Sequence, residues 1–369
     1  MAVKPLIILV HGMGVYPKPG PGVEGFTHEF ISAANKTLNS FTGFKSKKIE
    51  KLAQVEEINY DSFFNKVRTD IADRAGTITD ALTGVSGIDA VGSLPAIAFK
   101  LAALEQKFKD DDFFYTHVLD VVLYASILGG RVRTDVAEQF TRLIEKYPES
   151  PITVVAHSLG TAVIHDTLAK LYTGDFDALG SVASLDRLTH RIRSLWMLAN
   201  VSKLVNAVTG LLDPQKSAVK PTPEGCTSKM RTVRHKLDPF TWIETFDPAN
   251  DGGWISQDEY QVNFKSIVTS AITDFNTHSF AEYVKSPQVG PRLLSELFLD
   301  FRPSPDELNS YEENRIKATI PGAYEAMEEA LHDIDVSKPA TITTFVETAM
   351  NFHKTVKAMQ EELDGKLDG

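Results

Sequence analysis

The chain carries one cysteine in 369 residues, Cys226. A single thiol closes no intrachain disulfide and builds no multi-cysteine metal site, and it fits a reducing compartment. Positive charge is also short: 38 Lys and Arg stand against 49 Asp and Glu, a formal net charge of -11. An acidic chain repels nucleic acid and anionic membrane surfaces over a Debye length, so neither is expected as a partner, and the acidity reads as a solubility device. Long apolar runs are missing as well. No segment reaches the roughly 18 consecutive apolar residues of a membrane-spanning helix. Lys4 precedes a run of only six residues, Pro5 to Val10, which passes straight into His11, Gly12 and Met13. That run is too short for a secretory signal core and has no small-residue cleavage site after it. Stable membrane insertion is not expected, and the chain is read as cytoplasmic. No internal repeat or low-complexity tract is visible.

What is present is an alternation of strands and helices. PLIILV, residues 5 to 10, is a compact β-branched run bounded by proline and glycine, the pattern of a strand buried on both faces. An amphipathic helix follows, with Phe26, Phe30, Ile31, Ala34 and Leu38 at three- and four-residue spacing. VEEINYD, 55 to 61, reads as a more exposed strand. FFYTHVLDVVLYASIL, 113 to 128, reads as a helix ended by Gly129 and Gly130, and TDVAEQFTRLIEKY, 134 to 147, as another opened by Thr134 as its cap. PITVVAHS is the next strand, LGTAVIHDTLAKLY the next helix, and SLWMLANV and MRTVRHKL two further strands. Such alternation implies right-handed crossovers and an α/β fold: a mostly parallel sheet flanked by helices.

With 43% hydrophobic residues the chain can bury a substantial core, and one elaborated domain is expected over residues 1–296. A low-charge, glycine-containing insertion interrupts it at about 65–112, with residues 75–104 read as a helical cap or lid over an apolar pocket, or else a buried helical pair. A second cap segment is read at 203–222. Residues 297–369 read as a helical extension. Its stripe of Phe345, Val346, Ala349, Met350, Phe352, His353, Val356 and Met359 is packing surface, against the main domain or against a second copy in a homo-oligomer.

Within VVAHSLGTAV, residues 154 to 163, a serine stands between a strand and a helix. Small-x-Ser-x-Gly in that setting is the nucleophile elbow: the chain reverses so sharply that the serine is strained and its Oγ is pushed out at the carboxyl edge of the sheet. Ala156 and Gly160 are the small residues such a crossing requires. The bare pattern arises by chance in roughly one chain of this length in five, on ordinary residue frequencies, and an incidental turn serine is its rival reading. The flanking strand and helix, and the HGMG turn at residues 11 to 14, raise its specificity. Ser158 is therefore the expected nucleophile. In the HGMG turn the Met13 amide is expected to pair with the Leu159 amide as an oxyanion hole, with His11 as a structural ring that orients the loop; the alternative is a glycine turn that merely joins strand to helix.

A nucleophilic serine needs a base, and the base an orienter. Of the ten histidines, His11, His28, His117 and His157 precede the serine, and His165 lies on the helix behind it. Among His190, His235, His278, His332 and His353, the one in DFNTHSFAEYV sits in a polar loop just ahead of a helix, so His278 is the expected base. For the acid, Asp238 follows the strand MRTVRHKL and precedes Pro239, with Glu244, Asp247 and Asp274 as neighbours and a self-capping turn aspartate as the rival reading. His235 is read as a strand residue.

HGMG, AHSLG, HKLDPF and THSFAEYV, in this order, resemble the α/β-hydrolase superfamily, in particular its lipase and serine-esterase branch with the GPI inositol-deacylase-like and DDHD-type phospholipases. The resemblance covers roughly residues 5 to 285. It implies the α/β-hydrolase fold, Ser158 as nucleophile, Asp238 as acid, His278 as base, and the Met13 and Leu159 amides as oxyanion hole. The two antiparallel strands that open larger members have no counterpart here, and no strand is legible ahead of His278. The expected activity is hydrolysis of carboxylic esters with short to medium acyl groups, with no metal or organic cofactor. A lipase or phospholipase working on lipid aggregates, and a catalytically silent scaffold that binds a ligand, are the alternatives.

Overall fold

A computed structural model describes residues 3–12, 25–73, 119–176, 182–209, 217–242, 244–246, 262–332, 334 and 342–367. Six strands form one sheet in which every neighbouring pair is parallel: β1 (Leu6–Val10), β2 (Gln54–Ile58), β3 (Ile152–His157), β4 (Ser194–Leu198), β5 (Met230–His235) and β6 (Phe264–Thr269). Their spatial order is β2-β1-β3-β4-β5-β6. Helices cover both faces, so the architecture is α/β, as the alternation of elements predicts.

The apolar runs are continuous because the central strands are buried on both sides. Leu6, Ile8 and Val10 of β1 enter one core, while Ile7 and Leu9 enter the other. Val154 and Ala156 of β3 likewise oppose Val155. Each of the Leu, Ile and Val side chains, fully buried, contributes roughly 1.5–3 kcal/mol. The first core lies under α5 (Gly129–Lys146) and α6 (Leu159–Thr173); the second lies under α1 (Phe26–Leu38), α8 (Phe280–Lys285) and α9 (Gly290–Leu297). Between these in the chain come α2 (Ile49–Leu52), α3 (Asp61–Asp73), α4 (Leu119–Leu123) and α7 (Ser202–Thr209). In α1 the predicted stripe is largely buried, with Ile31 packed at its margin.

Two expectations need correction. The helix over 113–128 does not end at Gly129 and Gly130. From Leu119 the chain runs through α4, a π-helical turn (Tyr124–Leu128) and α5 without a break. A Cβ on Gly129 would lie 2.6 Å from the Tyr124 carbonyl oxygen, so the glycine accommodates the widened turn and does not stop the helix. Thr134 is accordingly inside α5, where its hydroxyl donates to the Gly130 carbonyl at 3.1 Å. The second correction is β6, a strand ahead of His278 that the sequence did not reveal. It is an edge strand with one neighbour, and its residues Lys265, Ser266 and Val268 face out. The opposite edge, β2, carries Glu56 and Glu57, charges that discourage edge pairing with another sheet.

Beyond residue 297 come α10 (Pro305–Lys317), α11 (Ala323–Leu331) and α12 (Ile342–Leu367). Phe345, Val346, Ala349, Met350 and Phe352 of α12 are buried in the same core as Leu6 and Leu159, with Val356 and Met359 packed against it. The stripe therefore packs on the chain's own sheet domain. The insertion read at 75–104 lies outside the described residues, as do residues 210–216 of the second cap segment. Among the described residues no helix is long and apolar enough to cross a membrane.

Candidate active site

The strand order reverses between β1 and β3: β1 has β2 on its far side, and the chain then continues outward from β3 in the other direction. Loops leaving such neighbours diverge to opposite faces, which opens a crevice at their carboxyl ends. His11 and Gly12 follow β1 into that crevice, and Ser158 follows β3.

Ser158 has φ 52° and ψ −127°. Among described non-glycine residues only Ser158 and Ala199 have positive φ, and such backbone costs of order 1–3 kcal/mol and persists only where its surroundings over-determine it. They do. The Ser158 amide donates to the Leu198 carbonyl at 3.0 Å, while the Ser158 carbonyl accepts from the Thr161 amide at 2.9 Å and hydroxyl at 2.6 Å. Gly160 permits the crossing, since a Cβ there would stand 2.2 Å from the His11 carbonyl oxygen. Ala156 is fully buried between Val10 and Met197 in register.

Three side chains far apart in sequence meet here. His278 Nε2 lies 2.8 Å from Ser158 Oγ, and His278 Nδ1 lies 2.8 Å from Asp238 Oδ2. A carboxylate only accepts, so the ring proton sits on Nδ1 and leaves Nε2 to accept the serine hydroxyl. Asp238 follows β5 and opens a short 3-10 turn (Pro239–Thr241), where its Oδ1 accepts the Phe240 amide at 3.2 Å. The self-capping reading and the bridging one are thus both realised, one on each oxygen. The His278 loop is stitched to this turn by the Thr277 hydroxyl, which donates to the Leu237 carbonyl at 2.7 Å.

His157, the residue before the serine, donates from Nε2 to the His278 carbonyl at 2.8 Å. Its position before Ser158 in the chain counts against it as the expected base; the sequence carries no sign that it holds the His278 loop. Phe240 packs on the His278 ring at 4.6 Å, and Phe345 and Phe352 of α12 pack on Phe240 at 5.7 and 5.5 Å. The group is nearly dry: Asp238 is 0% exposed, Ser158 1% and His278 9%.

Leu159 is the first residue of α6, so its amide has no partner in the helix ladder. Met13 lies outside the described residues; Gly12 does not, and a Cβ on it would stand 2.7 Å from the Ser158 Cβ, which places the start of that turn against Ser158. His11 is fully buried, its ring stacked on Tyr60 at 4.1 Å and its Nδ1 donating to the Gly12 carbonyl at 2.9 Å. The remaining candidates are elsewhere. Glu244 pairs with Lys203 at 3.6 Å, Asp274 caps the Asn276 amide at 2.8 Å, and Asp247 lies outside the described residues. His235 ends β5, and its Nδ1 accepts the Leu237 amide at 3.0 Å. Tyr283, to which sequence reasoning assigned no role, donates to Asp238 Oδ2 at 2.7 Å.

Among the described residues no group of three or more His, Cys, Asp or Glu is placed to hold a metal ion. Chemically, the arrangement is a hydroxyl, an imidazole and a carboxylate in series inside a low-dielectric pocket, able to pass the serine proton to Nε2. Comparison of the chain with protein-family models and with curated proteins finds no match.

Proposed function

We propose that the protein is a serine hydrolase of carboxylic esters. One observation carries the reading: the unbroken pair of 2.8 Å contacts from Ser158 Oγ through His278 to Asp238, around a serine with strained backbone. In this reading Ser158 Oγ bonds to the ester carbonyl carbon as His278 Nε2 takes its proton, and the carbonyl π pair moves onto oxygen. The Leu159 amide, with that of Met13 on the family resemblance, holds the oxyanion; one such donor is worth on the order of 3 kcal/mol of barrier. Collapse breaks the bond to the alcohol, which leaves with the proton from Nε2. Water then repeats the sequence on the acyl-enzyme and releases the acid. Asp238 holds the ring and stabilises the imidazolium throughout.

The test is covalent labelling by a fluorophosphonate together with p-nitrophenyl esters from butyrate to palmitate, with and without micelles. Labelling and short-ester turnover in the native chain, both lost in Ser158→Ala, are expected. Preference for palmitate in micelles would move the reading to a lipase or phospholipase. A native chain that neither labels nor turns over any ester would leave a silent binding scaffold.

A further inference from the structure

Asp238 Oδ2 receives two donors. One is His278 Nδ1 at 2.8 Å and the other the Tyr283 hydroxyl at 2.7 Å. The tyrosine oxygen is itself held, since the His235 amide donates to it at 2.9 Å. An amide can only donate and a carboxylate only accept, so the direction of every bond is fixed: His235 N–H to Tyr283, Tyr283 O–H to Asp238. Tyr283 belongs to α8, which starts two residues after His278, so one short segment supplies both donors to the same oxygen.

We propose that Tyr283 is a positioning residue for the hydrolytic site: it fixes the rotation of the Asp238 carboxylate and divides the charge on Oδ2, so that His278 is oriented without being over-stabilised as imidazolium. The inference rests on the ester-hydrolase reading. Without the phenol and the His278 ring, the only donor to the carboxylate among the described residues is the Phe240 amide, on the far oxygen at 3.2 Å, which restrains rotation weakly. Tyr283 is 2% exposed, and burial, then the Asp238 charge, holds its hydroxyl well above the usual phenol range, so it stays a neutral donor. Other titratable or charged groups around the acid and base are His157 from β3, and Arg234, His235 and Lys236 at the end of β5. Glu282 and Lys285 of α8 pair with each other, and Arg315 of α10 pairs with Glu282. The 3-10 turn brings Phe240 against the base, and α12 brings Phe345 and Phe352 against Phe240.

The test is the pH–rate profile of Tyr283→Phe on a short p-nitrophenyl ester. Loss of one buried hydrogen bond to a charged group predicts a kcat lower by about tenfold with KM unchanged. The undivided charge on Oδ2 then favours protonated His278, so the base is lost sooner on acidification and the acid limb moves to higher pH. In an Asp238→Asn background the same substitution is expected to cost nothing further. Should Tyr283→Phe fail to fold, site-specific replacement of Tyr283 by 3,5-difluorotyrosine strengthens the donor and is expected to move the acid limb the other way. A folded variant with native kcat and an unmoved limb overturns the inference while leaving the hydrolase reading intact. A native chain inert toward esters and fluorophosphonate overturns both.

Discussion

Gly160 lies beneath the chain reversal at His11: a methyl group on its α-carbon would stand 2.2 Å from the His11 carbonyl oxygen and 2.5 Å from that of Val10. Both obstacles are backbone of the central strand and its exit, with no flexible end to yield. Gly160→Ala is expected to lower the stability by about 1–3 kcal/mol or more, as overpacked cores do. Urea unfolding measures it, and a native midpoint would contradict the close crossing.

Gly12→Ala meets a different obstacle, the Ser158 Cβ at 2.7 Å. Relief requires the nucleophile or the turn to shift, and a displacement near 1 Å costs about a hundredfold in rate. Ester turnover is expected to fall by that factor with a much smaller change in stability; turnover within threefold of native would contradict it.

Asp238→Asn keeps the shape of the acid but replaces an acceptor with an amide. His278 then loses the partner that keeps its proton on Nδ1. A fall in kcat of about 10^4, with the circular dichroism unchanged, is expected from the triad precedent. A loss below tenfold would show that the carboxylate is not needed to set the ring.

The central strands and the elbow were legible because their requirements are local and severe. A strand buried on both faces must be apolar at every position, as Leu6–Val10 is, and a reversal as tight as that at Ser158 accepts almost nothing but Ala156 and Gly160. The edge strand β6 was not legible, because Lys265, Ser266 and Val268 face out and break the run. Gly129 misled, since a glycine that relieves a π-helical turn looks like one that ends a helix. Tyr283 gave no signal at all: its partner Asp238 is 45 residues away, and only the register of α8 against β5 brings them together.

Burial pushes the His235 imidazole below its ordinary value near 6.5. Below that value the unfolded chain binds a proton that the folded chain does not, so stability is complete above pH about 6.5 and falls as the pH drops through it. His235→Gln is expected to flatten this part of the stability–pH curve. An unchanged slope would show that other groups set it.

Burial also pushes the Cys226 thiol up to about 12, and the residue is 1% exposed. Because the thiolate is the reactive form, Ellman's reagent is expected to titrate no thiol in the native chain and one equivalent in denaturant. Rapid native titration would place Cys226 at the surface.

The 1% exposure of Ser158 bears on timing as well as strength. His278 is packed against Phe240, and Phe240 against Phe345 and Phe352 of α12, so in the proposed reading admission of an ester and bond making are separate events. The same shelter then surrounds whatever is esterified to Ser158. Its lifetime follows how often a water molecule is let in, and a small alcohol or amine admitted in its place would carry the acyl group away.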